Sequence, residues 1–120
     1  MLWFVLTYPY LLMFWKAFLL TNAVEIPILY LFAYKMGVVK VFATGLLANG
    51  LSLPVVWFIM PLVTSSYLNF VIFAETFAVL SETLILRKVL FISYKRSLTA
   101  ALAMNAMSFL VGWMFPSLLL

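Results

Sequence analysis

The chain contains no cysteine, no histidine and no aspartate, and only 8% of its residues are charged. Without cysteine it can form no disulfide, thiolate zinc site or iron–sulfur site, and without histidine it has no imidazole haem ligand and no His-based acid–base pair. Three glutamates are the only carboxylates left, so the usual side-chain sets of intramembrane hydrolases are missing. Neither an enzyme nor a bound cofactor is expected. A basic face is lacking as well: the net charge is +4, but six of the seven lysines and arginines lie at two short connections. That placement reads as a topology signal and excludes nucleic acid as an expected partner. The largest deficit is polar surface. With 68% hydrophobic residues and a mean hydropathy of +1.25, the surroundings must be lipid or other hydrophobic protein.

What is present is a set of long apolar runs. A length of 120 residues accommodates about four helices of some 20 residues each with short connections, and no separate soluble module. Hydropathy predicts an all-α integral membrane protein, a single domain over 1–120, with transmembrane spans at 12–34, 41–61, 67–86 and 97–116. Residues 1–11 lack a basic start and a small-residue cleavage site, so a secretory signal is not expected. Either they lie in the interface or they extend the first helix; Pro9, with Lys16 only a few residues into the span, favours the interfacial arrangement.

Orientation follows from the basic residues. Lys35 and Lys40 flank the first connection and Arg87, Lys88, Lys95 and Arg96 flank the third, whereas the second, PLVTSSY, is uncharged. The positive-inside rule assigns the basic side to the cytoplasm of a multi-pass cell-membrane protein and both termini to the outside. Trp57, Tyr67 and Trp113 then fall at the outer ends of spans, and Tyr34 and Tyr94 at the inner ends, as an aromatic belt requires.

All three acids, Glu25, Glu75 and Glu82, lie inside these spans. A charge at the centre of a membrane helix costs roughly 2.5 to 3.5 kcal/mol, so such carboxylates are partnered, protonated or employed. Depth organises them. Counted from Lys40, Asn49, Ser52 and Trp57 lie nine, twelve and seventeen residues in; counted from Arg96, Asn105, Ser108 and Trp113 occupy the same offsets. Looser similarity relates A-V-E at Glu25 to F-A-E at Glu75. This pattern reads as an internal repeat of two parallel-oriented helical hairpins, each giving a carboxylate and an N-x-x-S; shared length and anchoring constraints are the plainer alternative. At 1.5 Å per residue, Glu25, Asn49, Ser52, Glu75, Asn105 and Ser108 lie roughly 13 to 18 Å from the basic side, near the bilayer midplane. Glu82 is expected only about 7 Å from that side, a step toward the cytoplasm or a partner of Arg87.

A second motif is N-A-V-E-I-P at residues 22–27, echoed by N-G-L-S-L-P at 49–54. Pro27 and Pro54 free the carbonyls of Ala23 and Gly50 and are expected to kink their helices, leaving backbone oxygens beside a carboxylate or hydroxyl. Oxygen ligands at the midplane with no soft ligand suit a proton or a small hard cation. The expected function is therefore proton or cation transport or conduction by a homo-oligomer in the lipid bilayer. The alternative is an accessory subunit packed against partner membrane subunits, with the Asn and Ser residues serving as interhelical glue.

Overall fold

The computed structural model describes residues 7–64 and 66–118. Four helical segments, each long and apolar enough to cross a membrane, run over Tyr8–Met36, Val38–Val63, Tyr67–Leu90 and Tyr94–Met114. The first is α1 (Tyr8–Ala33) with a terminal 3-10 turn; the second is α2 (Val38–Pro54), a wide turn over Val55–Ile59 and the short α3 (Met60–Val63). α4 (Tyr67–Leu90) and α5 (Tyr94–Met114) form the third and fourth. Among the described residues there is no strand.

Local chemistry sets the helix ends. Pro9 occupies the first turn of α1, where its missing N–H and fixed φ suit a helix start, so it begins the helix and 8–11 extend the first span. Residues 1–6 lie outside the described residues. Gly37, at φ +92°, turns the chain between α1 and α2 through a conformation other residues rarely adopt. Ser66 and Ser93 cap α4 and α5 by accepting the backbone N–H of Asn69 and Arg96. The three connections are too short for anything but antiparallel neighbours, and the bundle runs up-down-up-down.

Each helix packs on its neighbours in the chain, and α1 closes the ring against α5. The bundle measures 45 × 24 × 23 Å. Small residues make the close approaches: a Cβ on Gly45 of α2 would lie 2.6 Å from Ile26 Cγ1 of α1, and Ala74, Ala78, Ala100 and Ala101 are buried on α4 and α5. At the end carrying the basic residues, Leu29, Val41, Leu86, Leu90 and Met104 interlock in a core with essentially no exposure. Basic side chains close this end. Arg96 donates to the Phe32 carbonyl at 2.6 Å, while the Lys40 and Arg87 cations lie over the rings of Phe91 and Tyr94.

The opposite end is aromatic. Tyr10 and Phe14 of α1 pack on Trp57 and Phe58 with ring centroids 5.0 to 6.0 Å apart. Proline chemistry explains a hydrogen bond there. Pro61 stands four residues after Trp57 and has no N–H to give, so the Trp57 carbonyl instead accepts the Tyr10 hydroxyl at 2.6 Å. Just before it the helix widens, with the Met60 N–H bonding to the Val55 carbonyl. Pro54 thus stands where α2 passes into the wide turn, whereas α1 continues through Pro27.

Candidate functional site

In a bilayer a polar side chain must find a partner within the protein. Many here use their own helix: Thr44, Thr83 and Thr99 donate to the carbonyls of Lys40, Val79 and Lys95, at 2.6 to 2.7 Å. A smaller set does not stop there, and it forms one network through all four spans.

The network starts on α1, where Asn22 donates to the Phe18 carbonyl and accepts the Asn49 amide of α2 at 2.9 Å. Ser108 of α5 donates to Glu25 Oε2 of α1, bringing the two ends of the chain together across the ring. On the other side Asn105 of α5 donates to Glu82 Oε2 of α4 at 3.1 Å and to the Ala101 carbonyl at 2.8 Å. Glu25 and Glu82, each 1% exposed, border the same small cavity. Each also keeps its Oε1 buried with no partner.

Glu82 therefore belongs to the layer, contrary to the expectation of a separate step toward the basic side. α4 does not stop at residue 86 but carries Arg87 and Lys88 on its last turn and ends at Leu90, which sets Glu82 eight residues, about 12 Å, from the helix end. Arg87 does not pair with it; the guanidinium turns away to the Ile92 carbonyl and the Tyr94 ring. By the same count Glu75 lies about 10 Å farther along α4 than Glu82, so it is Glu82, and not Glu75, that shares a level with Glu25.

Glu75 is half-buried and stands at a junction. On one side is a cavity of about 150 Å³ bounded by Glu25, Asn49, Ser52, Glu75, Glu82 and Asn105. On the other is a groove of about 590 Å³ between the wide turn, α4 and α5, with Trp57, Tyr67, Phe70, Phe109 and Trp113 on its walls. Glu75, Ser108, Ala74, Val56, Trp57 and Phe109 border both, so the groove and the cavity adjoin along this wall. Toward the basic end lies the apolar core.

The structure thus gathers Glu25, Glu82, Asn49, Ser52, Asn105 and Ser108, with Glu75 at the rim. The N-x-x-S copies are used unequally: both asparagines bond a side chain of the preceding long helix, whereas Ser108 bonds Glu25 and Ser52 lines the cavity. Asn22 is the site member that sequence reasoning left as part of a motif. Its signal was available, since it precedes Glu25 by three residues and shares its helix face. The six residues read as topology anchors, Lys35, Lys40, Arg87, Lys88, Lys95 and Arg96, lie at or beside the helix ends opposite the aromatic cluster. Among the described residues no three His, Cys, Asp or Glu side chains gather closely enough to hold a metal ion. No family model, curated protein or solved structure matches the chain.

Proposed function

We propose that this is a small membrane transport protein that moves a proton, or a hard monovalent cation in its place, through the Glu25–Glu82 pair. The observation that carries this reading is the gathering of two fully buried carboxyls around one small cavity, each with an unpartnered oxygen, beside a groove at the aromatic end. Interhelical glue alone would be served as well by amides, which hold no ionisable proton. A carboxyl cavity with a groove on its aromatic side and an apolar core toward the basic end suits a carrier better than a continuous channel.

In this reading the basic end faces the cytoplasm of the cell membrane and the groove opens outward, with both termini outside. The two hairpins act as a repeat, a view supported by the matching bonds of Asn49 and Asn105 within their own hairpins. Four helices enclose little on their own, so a homo-oligomer is the working unit. The test is proteoliposome flux under an imposed pH or cation gradient. Wild-type protein should exceed empty liposomes, and Glu82→Gln and Glu25→Gln should each abolish the excess while leaving expression and oligomeric state intact. Flux equal to empty liposomes, together with stoichiometric partner subunits in a gentle-detergent pulldown, would replace transport with the accessory-subunit reading.

A further inference from the structure

The groove above Glu75 has a composition that the carboxyl pair does not require. A proton or a bare cation needs oxygen ligands and water, yet this space is walled by Trp57, Tyr67, Phe70, Phe109 and Trp113. Its volume of about 590 Å³ falls within the roughly 300 to 1,000 Å³ typical of sites for small organic molecules. Among its lining residues the one ionisable group besides the Tyr67 phenol is Glu75, set where the groove meets the deeper cavity. Aromatic faces attract cations through their quadrupoles, and they do so most strongly for bulky organic cations that shed water easily. A single carboxylate at the end of an aromatic-walled groove is complementary to one positive charge on an apolar body.

We infer that this groove is the binding site of a monovalent lipophilic organic cation, with Glu75 as its counter-charge and Trp57 and Trp113 among the aromatic faces that hold it. The inference rests on the transport reading for its purpose, since the cation would be the cargo and the Glu25–Glu82 pair the proton site behind it. Its chemistry stands separately. Gly112 also lines the groove, and a Cβ placed there would meet nothing within 4 Å, so side chains can be added at this position without disturbing helix packing.

The experiment is equilibrium binding of radiolabelled tetraphenylphosphonium to the full chain in lipid nanodiscs, with neutral triphenylphosphine oxide as competitor. Saturable binding is expected, with weak competition by the neutral compound. Glu75→Gln and Trp113→Ala should each weaken it by tenfold or more, and Gly112→Leu should weaken it by filling the groove. Absence of saturable binding, equal affinity in wild type and Glu75→Gln, or equal competition by the neutral compound would each overturn the inference. Flux measured on the same preparation separates the two ideas. Proton flux without tetraphenylphosphonium binding removes the organic cation and keeps transport, whereas binding without flux keeps the site and removes transport.

Discussion

The two halves of this bundle solve the membrane problem in opposite ways. At the basic end Leu29, Val41, Leu86, Leu90 and Met104 pack into a core with essentially no exposure, and Arg96 and Lys40 are held at its edge by a carbonyl and a ring. At the aromatic end α1 and the second span are joined by tilted and edge-on rings, but a groove remains between the second span, α4 and α5. The carboxyl pair lies where one regime gives way to the other. The contrast teaches that the cost of burying an acid is met locally, by Asn105 and Ser108, and not by the distant lysines and arginines.

The contrast can be broken most severely in the packed half. Leu86→Ala should cost about 2 to 5 kcal/mol, read as a lower midpoint of unfolding in mixed micelles, because its neighbours cannot close the cavity. Val71→Ala, on the groove wall, should cost under about 1 kcal/mol by the same measurement. Equal losses would mean that the groove closes in the native protein. Next comes Gly45→Ala, whose added carbon would meet Ile26; a loss of about 1 to 3 kcal/mol is expected, against no more than about 0.5 for Gly112→Ala.

At the boundary, Asn105→Leu removes the donor to Glu82 Oε2 and should cost about 1 to 3 kcal/mol. If stability is unchanged, Glu82 has another donor and the network as drawn is wrong. The smallest effect is expected from Tyr10→Phe, which leaves the Trp57 carbonyl unbonded next to Pro61, for about 1 kcal/mol. No measurable change would show that water already serves that carbonyl at the aromatic end.

Much of this was legible beforehand, for identifiable reasons. The four spans follow from hydropathy because lipid leaves a backbone few alternatives to helix, and the expected boundaries differ from the observed ones by about a turn. Glu25, Asn49, Asn105 and Ser108 could be placed at one level because rise per residue is constant along a helix. Glu82 was misplaced because the count began at Arg87, as if a basic residue marked the end of the helix; α4 continues a turn beyond it. Pro9 favoured an interfacial lead-in over an extended first helix, although proline in a first turn starts a helix.

The sequence by itself determined the solvent, the number of crossings and the residue types available for chemistry, since those depend only on composition and on runs along the chain. Tertiary structure alone decided which acids share a site. Glu25 and Glu82 are 57 positions apart, and their place on one cavity depends on α1 closing the ring on α5 and on where α4 ends. The same holds for the groove, whose walls come from three spans, a matter of how side chains fill space between helices and not of any one helix's pattern.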